Sequence, residues 1–201
     1  MTAMTLPVEF LAPITREAIN ALPIRRYEGE VRLVATREDL ERAAADFATE
    51  RAVGFDTETR PAFRVGQRYP PALVQAASGR AVYLFQLAAL ECAPVLAALL
   101  ASNATVKAGV GVSEDLRQLR ELFTFTPGAI VDLGAVARRH GLERSGVRAL
   151  AALFLGIRIP KGTKTSNWAA RRLSSAQIAY AATDAWACRE LYLKFEAMRL
   201  L

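Results

Sequence analysis

The feature that most constrains the fold is an apolar run, Val53–Glu58, that ends in two carboxylates. The run predicts a buried strand, in which alternate side chains share a face and advance by about 3.3 Å per residue. Asp56 and Glu58 would therefore point the same way, about 6.5 Å apart along the backbone. Because neighbouring anions repel each other, such a pair favours an oxygen-liganded cation such as Mg²⁺ or Mn²⁺. An ordinary strand end that enters a solvated loop is the alternative, so the interpretation depends on partners elsewhere in the chain.

Histidine and cysteine usage limits the kind of metal site that the chain could form. The 201 residues, enough for one domain with a large core, include one histidine, His140, and two cysteines, Cys92 and Cys188. The cysteines lie far apart without CxxC spacing, so neither a zinc site nor a disulfide framework is indicated. A bound metal would therefore have oxygen ligands.

Hydropathy indicates neither a membrane segment nor a secretory signal. No apolar stretch reaches the roughly 18 residues that span a bilayer. Residues Met1–Phe10 contain neither the basic region nor the apolar region of a signal peptide. We therefore expect a cytoplasmic protein with no membrane partner.

The positive charge of the chain is concentrated in one segment. The whole chain has a net charge of +6, whereas residues 133–173 contain nine basic residues against one acidic residue, a net charge of +8. A bound polyanion should therefore contact this segment. Helix faces that are merely solvated are the alternative.

The order of the predicted elements favours an α/β fold with a mixed sheet. Strands come first, two of them joined by a Ser78-Gly79 hairpin, and then alternate with helices before a largely helical C-terminal part. The predicted strands are 31–35, 52–57, 72–77, 80–85, 105–109 and 130–133. The predicted helices are 15–21, 37–50 after a Thr36/Asp39 capping box, 88–101, 112–123 and one that starts near Ser174. Residues 1–30, with three prolines, are predicted to form an N-terminal arm on a domain of residues 31–201.

A glycine turn, Gly109–Gly111, provides one possible partner for the strand carboxylates. It leads from a short strand into a helix for which Ser113 is a possible N-cap, with Asp115 in the first turn. The helix dipole also favours an acid at this position without any ligand. The turn lacks the GK[ST] ending of a phosphate-binding loop.

The helix that starts near Ser174 provides a second possible partner. Tyr180 and Asp184 are four residues apart and share a helix face that is otherwise rich in alanine. Small neighbours allow a helix to approach a sheet closely, which would bring Asp184 to the strand carboxylates. A half-buried tyrosine with an exposed aspartate is the alternative.

In this order and spacing, the DxE strand, the glycine turn with its acid and the YxxxD helix resemble the three motifs of DEDD-type 3′–5′ exonucleases of the DnaQ-like superfamily. The match is to the tyrosine subgroup, which includes ribonuclease D and Werner-type exonuclease domains, and it covers about Val31 to Leu193. The resemblance implies an α/β, ribonuclease H-like mixed sheet flanked by helices, with a helical C-terminal part. It also implies five catalytic residues, namely Asp56, Glu58, Asp115, Tyr180 and Asp184.

The resemblance further implies two divalent ions, Mg²⁺ or Mn²⁺, held by the four acids. Asp56 would bridge the ions, Glu58 and Asp184 would bind the ion on the nucleophile's side, and Asp115 would complete the outer shell. One ion would activate water and the other would stabilise the leaving 3′ oxygen. Tyr180 would orient the water, because a phenol with a pKa of about 10 is a poor base at neutral pH.

The implied reaction is hydrolysis of phosphodiester bonds from a single-stranded 3′ end of DNA or RNA, with release of nucleoside 5′-monophosphates. DNA is favoured because the sequence ends at Leu201, whereas ribonuclease D has helical domains after its nuclease domain. A ribonuclease D-like enzyme that trims RNA 3′ ends and a catalytically inactive nucleic-acid-binding module are the alternatives. The sequence indicates no oligomeric state.

Aromatic and basic residues near the motifs are candidate contacts for the nucleic acid. Bases could stack on Phe63 and Trp168. The candidate phosphate contacts are Arg64, Lys161, Lys164, Arg171 and Arg172. A core position for Trp168 and solvated arginines are the alternatives.

Overall fold

The computed structural model describes residues 6, 10, 14–64, 66–88, 91–162 and 166–201, which contain a six-stranded mixed sheet. In the order β1-β4-β3-β2-β5-β6, β3 is antiparallel to both of its neighbours and the other adjacent pairs are parallel. The strands are β1 (Glu30–Val34), β2 (Ala52–Thr59), β3 (Pro71–Ala77), β4 (Ala81–Gln86), β5 (Val106–Gly109) and β6 (Ile130–Asp132). The predicted α/β mixed sheet is therefore confirmed.

Helices cover both faces of this sheet. They are α1 (Arg16–Ala21), α2 (Arg37–Thr49), α3 (Ala93–Ala101), α4 (Val112–Leu119), α5 (Leu133–Arg139), α6 (Val147–Leu150), which continues into a π-helical turn (Ala151–Leu155), and α7 (Ser175–Ala197). Among the helices of the described part of the chain, none combines the length and the hydrophobicity that crossing a membrane requires.

The alternation of side chains along β4 shows how two cores form on opposite faces. Tyr83 and Phe85 join the cluster that includes Phe47 of α2, whose ring centroid lies 5.3 Å from that of Tyr83. Val82 and Leu84 point the other way, into a cluster with alanines of α7. Because both faces of the sheet are buried, helices fix the position of its central strands from two sides.

Caps fix the starts of the helices next to the sheet. The predicted capping box at Thr36 and Asp39 is present, and Ser174 forms a second one with Gln177 at the start of α7. The prediction of Ser113 as an N-cap is wrong. The chain enters α4 through Gly111 in the left-handed region, at φ +78°, which turns the backbone two residues earlier.

The element bounds differ from the predictions mainly where a helix begins or ends. The helix expected from residue 88 begins at Ala93, with Pro94 in its first turn, where proline's missing N–H costs little. The helix expected to reach residue 123 ends at Leu119. Strand β2 extends two residues further than expected, to Thr59, so both carboxylates of the DxE motif lie within the strand.

The predicted N-terminal arm contacts the C-terminal half of the chain. Ile24 forms a parallel β-bridge with Arg158, and the Tyr27 N–H donates to the Thr183 hydroxyl at 3.1 Å. Much of residues 1–13 lies outside the described residues. The division into an arm of residues 1–30 and a domain of residues 31–201 stays a prediction.

Candidate active site

The contact between β2 and α7 depends on a glycine. Even-numbered residues of β2 face α7, and a Cβ added at Gly54 would lie 1.9 Å from the Ala185 carbonyl oxygen and 2.7 Å from the Arg189 nitrogen. Backbone therefore packs directly against backbone at this point. Asp184 directly precedes Ala185, so the same contact brings its carboxylate to the end of β2.

Three carboxylates meet where β2 and α7 converge. One ligand oxygen from each of Asp56, Glu58 and Asp184 lies within 4.8 Å of the others. The pairing of β2 with β3 shifts between Glu58 and Thr59, so the strand becomes irregular immediately after the second carboxylate. The sheet and the helix thus bring together residues that are more than 120 positions apart in the sequence.

One buried oxygen of this cluster suits a divalent cation. Asp184 is buried, and among the described residues its Oδ1 has no hydrogen-bond partner. A buried carboxylate oxygen without a partner is costly, and a hard cation with oxygen ligands removes that cost. The residues present therefore fit a Mg²⁺ or Mn²⁺ site.

The pKa shifts of the carboxylates in the cluster also favour a bound cation. Burial raises the pKa of Asp56 well above its usual range, and the charges of Asp115, Asp184 and Glu58 raise it further. Burial also raises the pKa of Asp184, although Tyr180 and Arg148 partly offset this effect. A cation in the cluster would reverse both shifts, because it favours the ionised carboxylates.

Asp115 approaches from the opposite face of β2. The Thr57 hydroxyl, which lies between the two strand carboxylates in sequence, donates to Asp115 Oδ1 at 2.6 Å. Asp115 is outside the group of three, yet among neighbouring charges it contributes most to the raised pKa of Asp56. Burial raises the pKa of Asp115 itself to about 6. The structure therefore places this acid beside the cluster, at a position compatible with an outer ligand.

Tyr180 is held in place by close packing around its ring. A Cβ added at Gly162 would lie 1.7 Å from the ring carbon Cδ2, so loop backbone packs directly on the tyrosine. The centroid of the Trp168 ring and the guanidinium of Arg148 each lie 5.9 Å from the centroid of the Tyr180 ring. Burial and the charges of Asp184 and Glu58 raise the pKa of Tyr180. Its hydroxyl is therefore protonated at neutral pH and suited to orienting water rather than to accepting a proton.

The structure leaves most of the predicted nucleic-acid contacts accessible. Phe63 is 83% exposed, and the cations Arg64, Lys161, Arg171 and Arg172 are exposed as well. Lys161 lines a cavity that also includes Arg26 and Tyr180. Lys164 lies outside the described residues. The roles of these residues in binding nucleic acid stay predictions.

Trp168 is an exception. Its side chain is fully buried, in the cluster that includes Leu73, Leu84 and alanines of α7. Its ring has no exposed face on which a base could stack, so the predicted stacking role is wrong and the core alternative holds. Burial under α7 explains this outcome, because the segment before that helix folds back against the sheet, where Gln86 donates to the Ala170 carbonyl at 2.9 Å.

Two residues that shape the site were not identified from the sequence. Gly54 carried a usable signal, because a glycine inside an apolar strand often marks a close approach of backbone. Gly162 carried none, since its contact is with a side chain 18 positions further along the chain.

Comparison with known proteins gives a family match over most of the chain. Residues 31–199 match a family model described as a 3′–5′ exonuclease. Ribonuclease D of Haemophilus influenzae is 36% identical over 143 residues, which are 70% of this chain and 35% of that protein. The human exonuclease mut-7 homolog is 30% identical over 200 residues, which cover 85% of this chain and 23% of that protein.

A solved structure shows the same fold. The crystal structure of the Aedes aegypti Nibbler EXO domain superposes with a TM-score of 0.75 at 25% identity, and the match covers 88% of this chain and 92% of that one. The chain spans about a third or less of the length of the two curated relatives named above. The predicted similarity to ribonuclease D and the ribonuclease H-like fold are both confirmed.

Proposed function

The chain belongs to the 3′–5′ exonuclease family, and on that premise we propose that it removes nucleotides hydrolytically from the 3′ end of a single-stranded nucleic acid. One observation carries the proposal: Asp56, Glu58 and Asp184 converge within 4.8 Å, and one buried oxygen of Asp184 lacks a hydrogen-bond partner in the described part of the chain. A cluster of this kind costs stability unless it binds cations. The loss of acids that would mark an inactive binding module is not seen.

Each residue of the site has a distinct task in this proposal. Asp56, Glu58 and Asp184 hold divalent ions, and Asp115 supports them from the other face of β2, where the Thr57 hydroxyl fixes its carboxylate. Bound in a pair, such ions supply an activated water and stabilise the charge on the leaving 3′ oxygen. Tyr180 orients the water through its protonated hydroxyl.

We propose RNA as the preferred substrate, with DNA as the alternative. The H. influenzae relative is a ribonuclease by name, and it shares 36% of its residues with this chain over the matched region. The preference for DNA was inferred from the position of Leu201. It had no support from residues that would contact the sugar and so distinguish DNA from RNA. Exposed cations and Phe63 suit either polymer, because stacking and phosphate contacts do not distinguish them.

A nuclease assay with end-labelled substrates tests the proposal. Single-stranded and duplex RNA and DNA, labelled at the 5′ or the 3′ end, are incubated with the protein in Mg²⁺, Mn²⁺ or EDTA. We expect 5′-labelled RNA to shorten one nucleotide at a time, with release of nucleoside 5′-monophosphates, and EDTA to stop the reaction. Internal cleavage, cleavage that persists in EDTA, or intact substrates throughout would contradict it, whereas faster degradation of DNA would select the alternative.

A further inference from the structure

An apolar groove begins beside the candidate active site. The cleft that contains Glu58 is also lined by Arg60, Tyr69 and Pro70. The same three residues line a second groove, which continues to Leu122. The two surfaces are therefore continuous, so a strand whose 3′ end lies at the carboxylates could extend into the apolar groove.

The lining of this groove suits nucleobases. Leu87, Leu122 and Phe123 supply apolar surface, and Leu122 is 46% exposed. The groove encloses about 520 Å³, a size that accommodates small organic ligands. Bases present flat, weakly polar faces that bind to such surfaces without sequence preference.

Charge along the rim suits the phosphates that link the bases. The loop between β2 and β3, residues 60–70, contains three arginines and no acid. The Arg60 guanidinium lies 4.9 Å from the centroid of the Tyr69 ring. Within the described residues neither Arg60 nor Arg68 forms an ion pair, whereas Arg117 in the same cleft is paired with two glutamates. Arg60 and Arg68 can therefore bind an anion without breaking an ion pair of the described residues.

We propose that this groove binds the bases of the nucleotides on the 5′ side of the scissile phosphate, while Arg60 and Arg68 bind their phosphates. The inference rests on the proposed function, which supplies the strand. It assigns base stacking to a surface around Tyr69, Leu122 and Phe123, in place of the buried Trp168.

Substrate length tests the groove. A substrate too short to reach it depends only on the carboxylate cluster, whereas a longer one gains stacking energy. We expect Leu122→Ser to lower kcat/KM about 5-fold or more on oligonucleotides of about ten residues, since stacking contributes about 1–3 kcal/mol per base. The same variant should leave unchanged the hydrolysis of the p-nitrophenyl ester of uridine 5′-monophosphate, which has no base on the 5′ side of the scissile phosphate. Leu201→Ser, which removes a leucine of similar exposure (48%) elsewhere on the surface, is the control and should change neither.

Photocross-linking separates a failure of the groove from a failure of the proposed function. Oligonucleotides with 5-iodouridine at successive positions from the 3′ end are irradiated with the protein in EDTA, and the linked residues are identified by mass spectrometry. Cross-links to Tyr69 or Phe123 from positions upstream of the terminal nucleotide support the groove even if no substrate is cleaved. Cross-links elsewhere, or equal losses of Leu122→Ser on all substrate lengths, would overturn it.

A different observation points to a further residue at the carboxylates. Gln75 of β3 is fully buried, and within the described residues neither its amide oxygen nor its amide nitrogen has a hydrogen-bond partner. Gln75 is the register partner of Asp56, and directly paired residues share a face of the sheet, with Cβ atoms about 5 Å apart. An unsatisfied buried amide is costly, so its position beside a carboxylate indicates a bound group between the two.

We infer that Gln75 is a positioning residue whose amide fixes Asp56, through a bridging water, in the orientation that binds the cation. This inference also rests on the proposed function. Replacement by methionine keeps the shape and removes the amide. Gln75→Met should weaken Mn²⁺ binding, measured without substrate by electron paramagnetic resonance, about 10- to 100-fold, as is usual for a group that supports a metal ligand.

A melting temperature and a control substitution at a second glutamine complete the test of Gln75. A purely structural defect would be relieved in Gln75→Met, so the metal-free protein would melt at a higher temperature with Mn²⁺ affinity unchanged, and that result would overturn the inference. Gln118→Met, a change at a glutamine on α4 outside the cluster, should retain wild-type affinity. A wild-type protein that binds Mn²⁺ but cleaves nothing would refute the proposed function while leaving this inference testable; one that binds no Mn²⁺ would refute both.

Discussion

Charged side chains lie at both ends of the contact between β2 and α7, with an arginine that neutralises a glutamate at one end and a cluster of carboxylates at the other. At the end near the start of β2, the Arg189 guanidinium donates to Glu50 at 3.1 Å and to the Ala52 carbonyl at 3.3 Å. Glu50 also accepts from the Gly79 N–H at 2.6 Å. At the other end, Asp56, Glu58 and Asp184 bring three carboxylates together, and one buried oxygen of Asp184 has no partner among the described residues.

On the proposed function, this difference separates charge that supports the fold from charge that serves a ligand. Glu50 and Arg189 satisfy each other, so their burial costs little and their loss would be felt in stability. At the carboxylate end, burial raises the pKa values of Asp56 and Asp184, so the metal-free protein is less stable for having these like charges. Strand β2 and helix α7 thus form both a rigid support and the candidate site that this support positions.

The largest effect is expected from a change at the carboxylate end. Asp56→Asn keeps the shape of the side chain but removes the charge that faces three other acids. We expect exonuclease activity to fall more than about 100-fold, beyond the usual effect of losing a group that only supports a metal ligand. In EDTA the variant should melt at the same or a higher temperature than the wild type, because repulsion is relieved.

Steady-state assays in Mg²⁺ and melting curves in EDTA, made on the same preparations, check both halves of this expectation. Asp39→Asn, at the exposed capping box of α2, is a control for the loss of an aspartate elsewhere and should retain full activity. If Asp56→Asn were as active as the wild type, the assignment of the site would be wrong.

The two ends of the β2–α7 contact also differ in how well the sequence predicted them. The carboxylate end was predicted because its residues lie on regular elements, where strand and helix periods relate spacing to direction: Asp56 and Glu58 on β2, Tyr180 and Asp184 on α7. The Glu50–Arg189 pair was not predicted. Its members are 139 residues apart and belong to no recurrent pattern, so only the packing of α7 on β2 brings them together.

Features that depend on loops or on tertiary contacts were predicted less well from the sequence. The mixed sheet followed from the order of strands and turns, but the end of α4 at Leu119 and the start of α3 at Ala93 depend on tertiary contacts. Trp168 lies in a segment without regular periodicity, so the sequence could not decide between a core and a surface position. The approach of Asp115 from the opposite face of β2 depends on Thr57, whose hydroxyl has no local sequence signal.

A substitution at Gly54, which lies between the two ends of the β2–α7 contact, should disturb both ends at once. In Gly54→Ala, the new Cβ would overlap the Ala185 carbonyl, so α7 must move away from β2. We expect the free energy of unfolding to fall by about 3 kcal/mol, at the upper end of the cost of overpacking, and activity to fall with it because Asp184 is displaced. Chemical denaturation measures the first and the nuclease assay the second.

Gly146→Ala is the matched control for this substitution. Its added Cβ meets nothing within 4 Å, and its φ of −78° is ordinary for alanine. Stability should therefore change by less than about 1 kcal/mol. If Gly54→Ala were equally mild, the close approach of α7 to β2 would not be what positions Asp184.

Breaking the neutralised end alone should reduce stability without changing the chemistry. Arg189→Met leaves Glu50, whose side chain is only 15% exposed, without its cation. We expect a loss of about 2 kcal/mol, less than for a fully buried pair because some solvent reaches both groups. Well below the melting temperature, kcat should match that of the wild type. Arg117→Met breaks two ion pairs between exposed side chains and should cost less stability than Arg189→Met; equal losses in the two variants would remove the distinction between the ends.

The smallest effect is expected in the pH dependence of the metal-free protein. Burial raises the pKa of Asp115 from 3.8 to about 6, so between these values the folded chain binds more protons than the unfolded chain. The free energy of unfolding should therefore decrease as pH rises from about 4 to about 6, and this contribution should be constant on either side of that window. Asp115→Asn keeps an acceptor for the Thr57 hydroxyl but cannot ionise, so it should be more stable than the wild type at pH 7 and lose that advantage near pH 4. Denaturation in EDTA across this range measures the difference, and added Mg²⁺ should reduce it because a cation stabilises the ionised carboxylates of the wild type. An advantage of Asp115→Asn that grew as pH fell would show that the surroundings of Asp115 stabilise its ionised form.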